Sequence, residues 1–114
     1  MTETWAKVKS KYKLDIEYEV SDLGNVRRLH VYKNGEEAYK PVAQFTRGTE
    51  NLLYVYMRVA GRLMQFRVDL LVATAFVDNP RHVKYVRHKD GNRHNNVPDN
   101  LVWCSFGELK DYEG

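Results

Sequence analysis

A chain of 114 residues has room for one modest hydrophobic core and none for a second independent unit. Eighteen Lys and Arg against fifteen Asp and Glu give a net charge of +3 and a pI near 9.0, which permits a polyanionic partner without requiring one. The single cysteine, Cys104, excludes an internal disulfide framework and a four-Cys zinc site; with no membrane-length apolar run and no secretory-type start, a cytoplasmic protein without a membrane partner is expected.

Between Trp5 and Val31 short apolar alternations are broken by Asp22-Leu23-Gly24-Asn25, which predicts a turn between strands over 18–20 and 26–29. Asn34-Gly35 is a second turn signal, and a further strand is expected over 41–45. The clearest hairpin joins 52–59 to 62–68, because β-branched and aromatic residues flank the two-residue turn Ala60-Gly61. Asp69 is placed to cap an apolar helix over 70–76, its carboxylate accepting from the free amides of the first turn, and Asn79-Pro80 ends that helix. A strand over 84–88 and a tight Asp90-Gly91 turn follow, with Pro98-Asp99-Asn100 as the entrance to a helix starting over 99–103. The order describes an α+β fold, a small twisted antiparallel sheet followed by a ββα unit.

One stretch carries chemistry: Val86-Arg87-His88-Lys89-Asp90-Gly91-Asn92-Arg93-His94-Asn95-Asn96, then Asn100-Leu101-Val102-Trp103. A histidine beside an Asp-Gly turn and a cluster of asparagines is not what bulk burial selects for. The segment resembles the HNH nuclease motif of phage and intron homing endonucleases, in which a His-x-Asp-Gly-Asn hairpin runs into Asn-Asn and then Asn-Leu-x-Trp. Trp5 with Tyr18-Glu19-Val20-Ser21-Asp22-Leu23-Gly24-Asn25-Val26-Arg27-Arg28-Leu29 is similar to the module that precedes HNH in those enzymes, and Leu71 to Pro80 resembles their connecting helix. The resemblance divides a single domain over 1–114 into an N-terminal homing-endonuclease-associated module (5–31), a hairpin with connecting helix (40–80) and an HNH-like ββα-metal unit (83–111). For a phage-derived protein it implies the cytoplasm of a bacterial host cell.

In that family one divalent metal holds the scissile phosphate and stabilises the leaving oxygen, while the motif histidine takes a proton from the attacking water. The resemblance gives the histidine role to His88, and an imidazole that titrates near neutrality suits it; the bland alternative is a hairpin histidine bonded to a backbone carbonyl. Asn100, twelve residues on, matches the asparagine that braces the loop and orients the histidine, and as a residue type it also suits a helix cap. Asp90-Gly91-Asn92 reads as turn chemistry, Asn95 and Asn96 as ties from the loop to the backbone, Trp103 as core, and His30, His82 and His94 as surface residues.

The departures from the family pattern bear on the metal. The residue before the motif histidine, typically Asp or Asn and a ligand, is Arg87 here, and a cation cannot ligate a cation. The second ligand position, His or Asn about nine residues after the central asparagine, falls on Leu109; Glu108 reaches a metal only if the helix slips by one residue, a rotation of about 100°. A divalent cofactor, Mg or Mn, is therefore expected to bind weakly or not at all, with efficient cleavage in doubt. A third departure puts Asp69-Leu70 where the connecting helix usually begins His-Arg, with no consequence legible in the sequence.

Arg58, Arg62, Arg67, Arg87, Lys89 and Arg93 are the candidates for DNA contact; the first three lie on or near one hairpin, and a ribbon of that size can enter a major groove. The competing reading is a solvated face balanced by Glu36, Glu37 and Glu50, with Tyr54 and Tyr56 packing on one strand face. Three functions remain open: a phage-type HNH-like DNA-binding protein with impaired cleavage, an active nicking endonuclease using His88, and a catalytically dead relic that inhibits a bacterial nuclease or defence complex by protein binding. Homing enzymes usually carry a further C-terminal DNA-reading module, and the sequence closes at Gly114, so long-site targeting is not expected.

Overall fold

The computed structural model describes residues 2–113, with side chains through residue 109. The chain is α+β with antiparallel strands, as the residue pattern predicts, but the strands form three ladders rather than one sheet. The first is a meander of β1 (Trp5–Lys7), β2 (Tyr18–Ser21), β3 (Val26–Val31) and β4 (Glu37–Pro41). The predicted turn joins β2 to β3, pairing Val20 with Val26 on the core face and Glu19 with Arg27 on the other. Buried Ser21 closes it, its Oγ accepting from the amides of Leu23 (3.2 Å) and Asn25 (3.1 Å).

The strand expected over 41–45 is not continuous. β4 ends at Pro41, the Val42 amide bonds the Val26 carbonyl (2.8 Å), and β5 (Phe45–Thr46) belongs to the second sheet with β6 (Leu53–Val59) and β7 (Arg62–Arg67). Residues 42–44 thus carry the chain from one sheet to the next. Phe45 commits to the second sheet by stacking on Tyr56 (centroids 4.6 Å apart) and Tyr54 (6.0 Å), which share a face as alternation requires. Ala60 and Gly61 close the β6–β7 hairpin with φ of 52° and 76°, the two left-handed residues of a type I′ turn. The Asp15 carboxylate accepts both their amides, at 2.8 and 2.7 Å, tying the turn to the segment before β2.

Helix α1 (Val68–Phe76) follows β7 directly and lies at the centre of the molecule, touching both sheets and the C-terminal hairpin. Val68, Leu71, Val72 and Ala73 meet Tyr18, Val20 and Val26 of the first sheet, Val55 and Met57 of the second, and Val86 and Leu101 beyond, in one continuous core. The cap expectation needs correcting. The residue before the helix is Arg67, and Asp69 lies inside the first turn, where it accepts the Leu70 amide (2.7 Å) but is otherwise committed to Arg67. The helix also stops before Asn79, whose side chain instead clamps both backbone groups of Val83.

The C-terminal unit pairs β8 (Tyr85–His88) with β9 (Leu101–Cys104) and ends in α2 (Phe106–Glu113). The helix expected to begin over 99–103 is a second correction. Pro98–Asn100 makes a single 3-10 turn, Leu101–Cys104 is a strand, and the helix starts two residues after it. The physical reason is burial: Leu101 and Cys104 are buried against the core and Trp103 packs on it, donating its Nε1 to the Val77 carbonyl (3.0 Å), an arrangement the extended backbone provides. Among the described residues no helix is long and apolar enough to cross a membrane.

Candidate active site

His88 ends β8 with its side chain only 4% exposed, facing a loop that runs from Lys89 to Asn100. The loop is folded by its own polar side chains. Asp90 Oδ1 accepts from the Asn92 amide (2.8 Å) and the Asn100 Nδ2 (2.9 Å), and Asp90 Oδ2 accepts from the Asn95 Nδ2 (2.9 Å). Asn92 Oδ1 in turn accepts the His94 amide (3.1 Å). The Asn95 amide foremost, then the Asn92 N–H and the Asn100 amide, hold the Asp90 carboxyl below its usual range.

Asn100 bonds across the loop. Its Oδ1 accepts the Asp90 amide (3.1 Å) while its Nδ2 donates to Asp90 and to the Asn95 carbonyl (2.8 Å). It caps no helix, since a strand follows it, and its bonds go to the loop rather than to the His88 ring. The contact to that ring comes from Asn96, expected to bond backbone: its Oδ1 lies 2.7 Å from His88 Nε2, and Asn96 is 3% exposed. With Asn96 presenting its oxygen, this bond forms in the tautomer that carries the proton on Nε2. Among the described residues Nδ1 makes no hydrogen bond, and no fully buried side-chain nitrogen or oxygen lacks a partner, so Nδ1 retains some solvent contact. A lone pair on that nitrogen is what removing a proton from water requires.

Two further residues that sequence reasoning missed reach this point. Asp69, 2% exposed, places its Oδ2 4.0 Å from His88 Nε2. The carboxylate is held by Arg67, whose Nε and Nη2 donate to it at 3.0 and 2.7 Å. Gly24, in the β2–β3 turn, packs on Asn96 so closely that an added Cβ would lie 3.1 Å from its carbonyl oxygen and 3.2 Å from its Cβ. The replacement of the family's His-Arg by Asp69-Leu70 thus has a location: it falls beside the motif histidine. The signal for Asn96 was present as the second member of Asn95-Asn96; nothing local in the sequence points Gly24 at the site.

The candidate metal ligand Glu108 is engaged elsewhere. Its Oε1 accepts the Ser105 amide (3.0 Å) while its own amide donates to Ser105 Oγ (3.2 Å), the reciprocal capping box that starts α2. Arg81 pairs with the same oxygen at 2.9 Å, and these bonds, Ser105 first, hold its carboxyl below the usual range. Arg87 stands next to His88 and Leu109 offers no donor atom. Among the described residues no three His, Cys, Asp or Glu gather as a metal-ligating group. At the two positions that the resemblance assigns to ligands, Arg87 and Leu109 offer a divalent ion no donor atom.

The basic candidates separate. Arg67 belongs to the Asp69 pair and Arg93 donates to the Glu50 carbonyl (2.8 Å), which ties the site loop to the second sheet. Arg87 is half-buried, and Lys89 is exposed at the start of the loop. Arg58 and Arg62 are exposed toward the turn end of β6–β7, where Arg58 and Arg28 border a cleft of about 500 Å³ between the two sheets with Tyr56 and Leu63. His82 and His94 are exposed as expected, and His30 is half-buried against Tyr32.

Residues 80–108 match the HNH endonuclease family. Two uncharacterized HNH endonucleases of Acanthamoeba polyphaga mimivirus are each 46% identical to this chain, over 41 and 48 residues, which is 36% and 40% of this chain but 12% of each relative. A solved structure of the HNH homing endonuclease I-HmuI, described for its DNA binding and cleavage, superposes with a TM-score of 0.72 at 25% identity. That likeness covers 96% of this chain and 57% of the other, so the chain spans little more than half of that homing endonuclease and an eighth of the viral relatives. Motif, family match and whole-chain superposition agree that this protein carries an HNH endonuclease-family domain, homologous to viral HNH nucleases and to I-HmuI.

Proposed function

We propose that the protein is an HNH-type DNA-binding protein whose metal-dependent cleavage is impaired. The observation that carries the reading is Arg87: a permanent positive charge stands immediately before His88, where the family places a metal ligand. Leu109 at the second position and the engagement of Glu108 by Ser105 and Arg81 support it. Without a fixed cation the developing negative charge on phosphate is left to arginines, which position a backbone but supply less charge at one point. DNA affinity does not need that ion. Arg58, Arg62, Arg87 and Lys89 are the side chains proposed to meet phosphates, so binding falls steeply with salt and depends little on base sequence.

A second reading, an active nicking endonuclease, is favoured by one observation: His88 keeps a hydrogen-bonded Nε2 and an Nδ1 with some solvent contact, the arrangement of a working base. One experiment separates the two. Plasmid DNA is incubated in manganese with the natural chain, with Arg87→Asp/Leu109→Asn, and with the latter carrying His88→Ala. The impaired reading expects poor nicking by the natural chain, faster nicking by the double variant and silence once His88 is removed. Equal cleavage by the natural chain and the double variant establishes the second reading, and silence from a well-folded double variant means that more than two ligands have been lost.

A further inference from the structure

Asp69, at the start of α1, puts a buried carboxylate 4.0 Å from the imidazole of the motif histidine. We infer that Asn96 and Asp69 act together as positioning residues that fix His88 in its Nε2–H form and so hold the Nδ1 lone pair toward solvent. Asn96 supplies the direct acceptor, at 2.7 Å. Asp69 supplies a negative charge on the same side of the ring, which favours the proton there over the solvent side. Arg67 keeps that charge in place by two hydrogen bonds, so the carboxylate cannot swing away to water.

The pair is built from separate parts of the chain. Asn96 comes from the loop and is backed by Gly24 of the N-terminal sheet, whose missing Cβ lets the two backbones meet. Asp69 comes from the first turn of α1, fixed by the core beneath Val68 and Val72. His88 is therefore held by a residue of its own loop, which the N-terminal sheet backs, and by a carboxylate from the helix. The catalytic weight of this arrangement rests on the reading of His88 as the base; the protonation form of the ring does not.

The test is nitrogen-15 NMR of the imidazoles of the whole chain at pH about 8, above the usual histidine range, with His88→Ala identifying the relevant ring. The natural chain should show a downfield, exchange-protected proton on His88 Nε2 and an unprotonated Nδ1. Asn96→Ala should lose the protected proton, Asn96→Asp should retain it because a carboxylate still accepts, and Asp69→Asn should move it upfield. A proton on Nδ1 in the natural chain overturns the inference, as does a protected Nε2 proton that survives unchanged in Asn96→Ala. Where Asn96→Ala fails to fold, an unshifted Nε2 proton in Asp69→Asn overturns it. In the Arg87→Asp/Leu109→Asn background, Asn96→Ala should lower the nicking rate and Asn96→Asp restore part of it. Silence of that background with the expected NMR signature leaves the positioning pair standing and means that more than two ligands have been lost.

Discussion

The β6–β7 and β8–β9 hairpins both pack on α1 and store their shapes in different ways. β6–β7 pairs six residues on each strand across a two-residue turn, with Val55 and Met57 fully buried beneath it. β8–β9 pairs four, from Tyr85↔Cys104 to His88↔Leu101, and the strands are joined by the long loop that holds the candidate site. The first hairpin is specified by backbone ladder and apolar burial, both insensitive to any one polar group. The second depends on Asp90, Asn92, Asn95 and Asn100 bonding one another and on Asn96 bonding His88, so a single amide can release the loop while the fold persists. Structural damage and functional damage are thereby separable in this molecule.

Met57→Ala should have the largest effect on stability, about 2–5 kcal/mol for removing a buried methionine. The loss should be cooperative, read as a lower midpoint in denaturant and as faster amide exchange throughout the core. Asn100→Ala comes next. It removes three hydrogen bonds from the loop and leaves Asp90 short of two, for about 1–3 kcal/mol. Amides of residues 89–96 should then exchange faster while those of β6 and β7 keep their protection; equal loss in both hairpins would break the comparison.

Gly24→Ala combines a φ of +83° with the contact to Asn96, and the backbone alone costs about 1–2 kcal/mol. The added methyl should also disturb the His88 resonances, though it lies in the other half of the chain. The smallest effect is on acid. Because the folded carboxyl of Asp90 titrates below its unfolded value, its contribution is complete above the usual aspartate range, near ~3.9, and disappears as pH falls through the lowered folded value. The side-chain amide signals of Asn95 and Asn100 should move together over that window, and Asp90→Asn should abolish the movement.

How far the sequence could be read depended on whether the determining contact was local. The β2–β3 and β6–β7 turns were legible because Gly24, Ala60 and Gly61 sit where the chain itself must adopt left-handed backbone. The second strand of the ββα unit was not, since Pro98-Asp99-Asn100 has the chemistry of a helix entrance and only the burial of Leu101 and Cys104 decides for a strand. The two-part strand around Pro41 and Phe45 failed for the same reason: the switch between sheets is set by which neighbour each half meets. At the site, Asn100 was singled out through the resemblance to the HNH motif. Asn96 and Asp69 were not, because both act on His88 across space, one eight residues away and one from another element.

The contact between Gly24 and Asn96 limits how this protein can be taken apart. A nuclease-type hairpin cut out at Arg81 and fused to a different N-terminal sheet would carry His88, Asn96 and Asn100 with it, yet its loop would lack the flat surface on which Asn96 rests. Any donor sheet would need a side-chain-free residue at the turn that meets Asn96. Recombination at the boundary between the two halves is thus constrained by one missing methyl group, and chimeras that ignore it should fold with the histidine turned loose.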